Sequence, residues 1–488
     1  MVTKKKPEWT SFAFKKNLKD IIPERNFLTH NLIAYPAKFI PHVPYYVIKN
    51  YMKESNGIIL DPFAGSGTTA VEAIRLGHNC ICIDINPYTD FVTRIKSQEI
   101  NYKVTWFKDT SLDIYFTDNS EKINELGNTN LKDISLNKIL DNMKSYNGNK
   151  FYPKWNNIDY WYPEEFRDLL YNIWGFIYSL EKIYPKDFMD LMKLTGLYLS
   201  RYLSYGARDI PKLYKSKSRI KAVEALREKI SKTPHLPFDI FKNKLVNNYN
   251  QILEYQKAIK NANIKPIYSN ELSSEILEQK NKDRMIVCLA PVDSLEYKFN
   301  IKDEFIDLIV TSPPYVYAQE YIRSTKLDMY WLDLVDDKEV RNISRKELGY
   351  KKEFQSKKIK EALKEIPTFQ QTYTELLEIE KVRYNKEKYT SRVFNYFYDM
   401  YRIIKKLTDK LKINGIFGFF VGNPTVLGKQ ILCSEIFYEI FELLGYEILD
   451  YGFDEIVTRQ LLLSRNNESP QGMECEWLII AKKTENSV

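Results

Sequence analysis

Seven short apolar segments punctuate the chain, and their brevity limits what it can fold into. Ile58–Leu60, Cys80–Asp84, Met285–Leu289, Phe305–Thr311, Ile416–Val421, Tyr446–Tyr451 and Trp477–Ala481 are β-branched or aromatic runs bounded by Gly, Pro, Asn or Asp. Such runs mark buried strands rather than helices. Helical spacing fits between most of them, as in Thr69–Leu76 and Ser434–Leu444. Strand–helix alternation predicts an α/β fold, a mostly parallel, Rossmann-like sheet with helices on both faces.

Two intervals are too long for simple crossovers. Residues 101–282 are rich in Lys, Tyr and Leu at helical spacing, for example Leu169, Leu170, Ile173 and Phe176. They predict an inserted, mainly helical domain between the two halves of the sheet domain, 1–100 and 283–488. A second interval, about 335–390, is dense in Lys and Glu and predicts a smaller helical excursion or a loop. No internal repeat or low-complexity tract competes with this division.

Composition narrows the class. At 44% hydrophobic and 28% charged residues the 488-residue chain is globular, which excludes a disordered or fibrous protein. No run approaches the roughly 18 apolar residues of a membrane span, and Met1–Trp9 is lysine-rich with no apolar stretch behind it. A cytoplasmic protein without membrane attachment is the expectation. The five cysteines include no CxxC pair, so neither a disulfide framework nor a metal site is indicated.

Charge is uneven. The net charge is +8, and Arg201–Lys232 alone carries ten basic and three acidic residues. A local basic patch of this size suits a polyanion, although a solvated helix face has the same composition. Within it Arg208, Lys212, Lys215, Lys217, Arg219 and Lys221 are the candidate phosphate contacts, interleaved with Tyr202, Tyr205 and Tyr214.

The first strand runs into Asp61-Pro62-Phe63-Ala64-Gly65-Ser66-Gly67-Thr68-Thr69 and then a helix. Glycines there let backbone approach a ligand closely, and the helix N-terminus offers unpaired N–H groups. No Gly-Lys-Ser/Thr ending follows, which argues against a phosphate-gripping loop. The next strand ends in Asp84, where a carboxylate can accept from ribose hydroxyls, so a nucleoside-bearing cofactor is implied. The pattern by itself leaves a nicotinamide cofactor, or a purely structural turn, open.

The second motif is Asp307-Leu308-Ile309-Val310-Thr311-Ser312-Pro313-Pro314-Tyr315. A strand stopping in Ser-Pro-Pro loses two backbone donors and leaves carbonyls without ladder partners. Ser312 and the Pro313 carbonyl can each accept from an amino group, while Tyr315 offers a flat face for a base. Methyl transfer to an exocyclic nitrogen needs those acceptors, because its lone pair is delocalised into the ring and must be drawn out and aimed. Methylation at cytosine C5 needs a thiolate, typically in a Pro-Cys pair, and the chain has none.

The Asp61–Thr69 wording with Ser312-Pro313-Pro314-Tyr315 resembles the S-adenosylmethionine-dependent DNA amino-methyltransferases, over roughly residues 30–98, 284–334 and 410–483. The resemblance implies S-adenosylmethionine as cofactor. Its implied contacts are Tyr35, Pro36 and Lys38 in an N-terminal motif, Asp61, Phe63, Gly65, Gly67, Thr68 and Asp84 around the glycine loop, and Asp293 beside the adenine. Ser312, Pro313, Pro314 and Tyr315 would act on the target base, with Glu320–Trp331 closing over it. Ser at position 312 leans toward cytosine N4; adenine N6 is the alternative. Duplex DNA is then the implied partner, with a cognate restriction endonuclease if the enzyme serves restriction–modification, and residues 101–282 are candidates for target recognition. RNA or protein N-methylation, or a catalytically silent DNA-binding module, are further readings. Gly422-Asn423-Pro424 and Thr458-Arg459 are secondary candidates near strand ends.

Overall fold

The computed structural model describes residues 10–24, 27–36, 38–98, 102–106, 112–116, 134–206, 213–261, 264–272, 277, 283–316, 320–348, 366–384, 388–456 and 473–487. Nine strands form the main sheet: β1 (Thr10–Ser11), β2 (Ile58–Asp61), β3 (Asn79–Ile83), β4 (Lys265–Ser269), β5 (Asp283–Leu289), β6 (Ile306–Thr311), β7 (Leu411–Gly422), β8 (Glu447–Glu455) and β9 (Cys475–Lys482). Their spatial order is β1-β8-β9-β7-β6-β2-β3-β5-β4. The run from β7 through β4 is parallel, and β9 is inserted antiparallel between β7 and β8. Strand order therefore turns between β2 and β6, and open α/β sheets bind ligands at the carboxyl ends of strands flanking such a turn.

Each of the seven expected segments is a strand of this sheet. Their near-continuous apolar character follows from position, since β2, β3 and most of β5, β6 and β7 are buried. Helices α1 (His42–Tyr51), α2 (Thr68–Arg75) and α3 (Tyr88–Ser97) come from the first third of the chain. On one face Val43, Val47, Ala70, Val71 and Ile74 from α1 and α2 pack against Ile59, Cys80, Ile286 and Leu308. On the other, α11 (Pro367–Tyr384), α12 (Lys388–Lys410) and α13 (Cys433–Leu443) bury Leu376, Phe397, Ile404 and Phe437 against Leu60, Ile309 and Phe419.

Between α3 and β4 lie α4 (Leu136–Lys144), α5 (Glu164–Ser179), α6 (Lys186–Leu203), α7 (Lys217–Lys232) and α8 (Leu236–Asn261), preceded by a small antiparallel three-stranded sheet. Their aromatic core joins α9 (Tyr321–Trp331), which leaves the Ser-Pro-Pro-Tyr turn, and leads on to α10 (Asp337–Ser344). Trp174 stacks on Trp331 at 5.7 Å between ring centres, and each indole N–H has an acceptor, Ser200 Oγ at 2.9 Å and Tyr162 Oη at 2.8 Å. The same interval also supplies β4 to the sheet edge, and Tyr255 and Ile259 of α8 to the core beneath α2. Among the described residues no helix is long and apolar enough to cross a membrane, and no cluster of metal-ligating side chains occurs.

Candidate active site

The site begins with one buried carboxylate. Asp61 ends β2, and its Oδ2 accepts from Thr69 Oγ1 at 2.5 Å while Oδ1 accepts from Thr311 Oγ1 at 2.6 Å and Phe63 N at 3.0 Å. Thr311 ends β6 immediately before Ser312. Two motifs 250 residues apart thus share one hydrogen-bonded joint. Burial pushes the Asp61 carboxyl up to about 6, against the pull of the three donors.

The glycine loop turns above this joint. Gly65 and Gly67 hold φ of +51° and +68°, the left-handed region that favours glycine. A Cβ on Gly67 would stand 2.9 Å from Thr93 Cα, so the loop seats directly on α3; one on Gly65 would meet the Tyr35 ring at 3.3 Å. Gly65 N donates to Asp84 Oδ2 at 2.7 Å and Asn86 N to Oδ1 at 2.8 Å. Asp84 is half-buried, and desolvation raises its carboxyl to about 6 although both amides favour the anion.

Loops after three strands run side by side here. Ala64 N donates to Ile83 O, Asp84 N to Leu289 O, and Val292 N to Asp84 O, at 3.0, 3.2 and 2.8 Å. Asp293 follows, half-buried, with its carboxylate accepting from Leu295 N at 3.0 Å, and the Ser294 hydroxyl donates to Pro62 O at 2.6 Å. Asp293 therefore stands next to the loop that holds Asp61 and Phe63. From the N-terminal side Tyr35 is buried and accepts from Asn86 Nδ2 at 3.2 Å, and that amide also reaches Thr325 on α9 at 3.0 Å. Pro36 is buried beside it. The Lys38 ammonium donates to His30 O at 2.9 Å, and burial lowers it to about 8.

Ser312, Pro314 and Tyr315 are partly accessible and Pro313 is buried. The Tyr315 hydroxyl donates to the Glu476 carboxylate on β9. Thr68 opens α2 with its hydroxyl 3.1 Å from Ser66 Oγ.

The basic segment divides. Arg208 and Lys212 lie outside the described residues, as do Thr458 and Arg459. Lys217 and Lys221 are exposed on α7. The Lys215 ammonium sits 3.8 Å above the Tyr160 ring centre and 4.4 Å from that of Tyr205, and partial burial lowers its proton affinity. Arg219 is turned inward instead, donating to Tyr202 O at 2.5 Å, which caps the C-terminal end of α6, and to Ser204 O at 3.1 Å and Gly206 O at 3.2 Å just beyond it. Arg201 grips buried Asp328 through Nε and Nη2, one edge of its guanidinium, and Nη2 also donates to Ser324 O at 3.0 Å. Arg323 pairs with Glu320 at the surface at 2.9 Å. Asn423 is buried, accepting from Ser434 N at 2.9 Å to cap α13.

Several residues escaped sequence reasoning. Lys96 is fully buried on α3 and donates to Ser66 O at 2.6 Å, with burial holding its proton affinity far below the usual lysine range. Its signal is a lysine on the same core-facing side of α3 as Val92 and Ile95. Asn86, between the last residues of the second strand turn and Pro87, ties Tyr35, Asp84 and α9 together. Glu347 accepts from Ile322 N at 3.0 Å and caps α9, with burial raising its carboxyl to about 7.

Sheet order, a glycine loop closed by the Asp84 carboxylate, and a Ser-Pro-Pro-Tyr turn at the adjoining strand end together make up a Rossmann-like α/β fold of the methyltransferase kind. A family profile described as DNA methylase matches residues 3–94. Among curated proteins the chain is similar to type II methyltransferase M.BsoBI of Geobacillus stearothermophilus, 26% identical over 349 residues, covering 71% of this chain and 60% of the relative. It is also similar to type II methyltransferase M.MvaI of Kocuria varians, 23% identical over 451 residues, covering 90% of this chain and 86% of the relative. A third, type II methyltransferase M.MjaII of Methanocaldococcus jannaschii, is 37% identical over 91 residues, 19% of this chain and 17% of the relative. No solved structure matches. The chain is thus similar to DNA methylases over its N-terminal part and, at 23–26% identity, to type II methyltransferases over most of its length; such enzymes take S-adenosylmethionine as methyl donor.

Proposed function

We propose that the protein is a site-specific DNA methyltransferase that transfers a methyl group from S-adenosylmethionine to the exocyclic N4 of cytosine in duplex DNA. The observation that carries this reading is the buried Asp61–Thr311 hydrogen bond. It sets the glycine loop against the Ser-Pro-Pro-Tyr turn, the arrangement in-line transfer between two ligands requires.

The residues around the loop fit the donor. Gly65 and Gly67 leave backbone where a side chain would otherwise project, and the half-buried Asp84 carboxylate keeps lone pairs for ribose hydroxyls after accepting two amides. Tyr35 and Phe63 supply apolar walls, Pro36 shapes that wall, and Asp293 is positioned for the adenine. Thr68 and the amides at the start of α2 face the loop. Lys38 acts through His30 O rather than on the donor itself. The bound cofactor supplies an electrophilic methyl carbon on a sulfonium.

On the acceptor side, Ser312 and the Pro313 carbonyl draw the amino hydrogens, and Pro314 fixes the backbone that delivers Tyr315 beneath the base. A base inside a duplex must leave the stack at a cost of a few kcal/mol, part of which aromatic stacking offsets. Ser312 favours cytosine N4. Phosphate contact falls to Lys215, Lys217 and Lys221, with Arg208 and Lys212 alongside in sequence; Arg219 serves the fold of that surface. The relatives' designation as type II methyltransferases supports a place in restriction–modification, with a cognate endonuclease as partner.

Incubation with duplex DNA and isotopically labelled S-adenosylmethionine, followed by mass spectrometry of the digested nucleosides, tests the reading. N4-methylcytosine is expected. N6-methyladenine would replace the base assignment, and label appearing only in RNA would overturn the DNA assignment.

A further inference from the structure

Tyr315 is held by residues that no motif identifies. Its hydroxyl donates to the Glu476 carboxylate. Glu476 is the register partner of Gly422 where β7 and β9 pair antiparallel, so the acceptor is built into the sheet and not carried on a loop. Gly422 supplies the flank. A Cβ there would lie 3.6 Å from Tyr315 Cζ and would collide with the Met473 sulfur. The ring therefore has the Pro313-Pro314 backbone at its base, a glycine gap at its side and a carboxylate at its tip.

These restraints address both torsions of the tyrosine. The hydroxyl lies on the axis of the last torsion, so its charge-assisted hydrogen bond fixes where the ring swings about the first. The close Gly422 backbone at its flank limits its turn about the last, which is otherwise broad and soft. Misplacing a reacting group by about 1 Å costs on the order of 10²-fold in rate. We propose that Glu476 is a positioning residue for the target base: by anchoring the Tyr315 hydroxyl it fixes where the ring that carries the extruded base sits, and Gly422 leaves room for that ring. This rests on the reading of Tyr315 as the base platform.

The test compares Glu476→Ala, Glu476→Gln, Tyr315→Phe and the Glu476→Ala/Tyr315→Phe double variant by steady-state kinetics, calorimetric cofactor binding and thermal melting. Glu476→Ala and Tyr315→Phe are each expected to lower kcat about tenfold or more. Cofactor affinity should stay within about twofold. Because both single changes delete the same bond, the double variant should be no slower than either. Glu476→Gln keeps an acceptor oxygen and should recover most of the rate at an unchanged melting temperature. Undiminished kcat in Glu476→Ala, losses that multiply in the double variant, or a Gln variant as slow as Ala would each overturn the proposal while leaving the functional reading intact. A wild-type protein that transfers no methyl group to DNA would overturn the functional reading, and this proposal with it.

Discussion

At Asp61 a carboxylate with three donors still has its proton affinity raised, because complete burial outweighs the hydrogen bonds. The consequence for stability has a definite sign. The unfolded chain releases this proton near the model-peptide value of 3.8 and the folded protein near 6, so the folded state binds more protons between them. Stability from this group is fully present below about 3.8 and is lost as pH rises through 6. Replacement by Asn removes the titration and preserves the joint, since Thr69 can turn its hydroxyl to accept from the new amide. Asp61→Asn is expected to melt no lower than wild type at pH 7 and to lack that group's share of the decline between pH 4 and 6. Calorimetry across that range checks it, and parallel curves for the two proteins would refute it. Gly67 is a second residue-scale test. Gly67→Ala puts a methyl group 2.9 Å from Thr93 Cα at a φ that L residues rarely adopt, so it should lower stability by more than about 1 kcal/mol. Weaker cofactor binding in titration calorimetry should accompany that loss.

Among elements, α6 and α9 depend on an ion pair. Arg201 and Asp328 join the helix carrying the start of the basic segment to the helix that leaves the Ser-Pro-Pro-Tyr turn, and Asp328 is 1% exposed. Truncating one member leaves a buried charge alone, at a cost of about 3–5 kcal/mol, whereas replacing both by apolar residues of similar size is far milder. Arg201→Met should therefore shift the urea midpoint down sharply, and Arg201→Met/Asp328→Leu should return much of the loss. The charge count of residues 201–232 could not reveal this, because composition does not say which side chains face inward. Strands show the same boundary of legibility. The seven apolar runs stood out because burial on both faces demands continuous hydrophobicity. Lys265–Ser269 did not, since an edge strand with a proline second and half-exposed side chains has no such pattern. β1 spans two residues and owes its existence to the parallel pairing of Thr10 with Gly452, a purely tertiary event.

Across the whole molecule, the proposed reaction site and the exposed lysines of α7 occupy different layers. The sheet holds Asp61, Asp84 and Thr311; the helical layer, knit by Trp174 and Trp331, displays Lys217 and Lys221. If those lysines meet phosphates, Lys217→Ala and Lys221→Ala should weaken DNA binding without altering cofactor affinity. Each should also reduce the slope of log affinity against log salt by about one. Fluorescence anisotropy at several salt concentrations measures this, and an unchanged slope would remove them from the interface. The motifs themselves were readable because each carries its own mechanics, glycine at positive φ and proline at a strand end. Lys96 and Glu476 were not, since a buried cation under a loop and an anchor on a distant strand acquire meaning only from what they touch.

One consequence follows from the Asp61 joint. Hydroxyls from α2 and from the end of β6 converge on a single carboxylate inside the core, so the glycine loop and the Ser-Pro-Pro-Tyr turn, the proposed cradle for the donor and perch for the acceptor, cannot slide relative to one another. If the proposed function holds, a change in the DNA sequence chosen can leave residues 58–69 and 306–315 as they are, one indivisible reaction cassette under whatever reading head is placed above it.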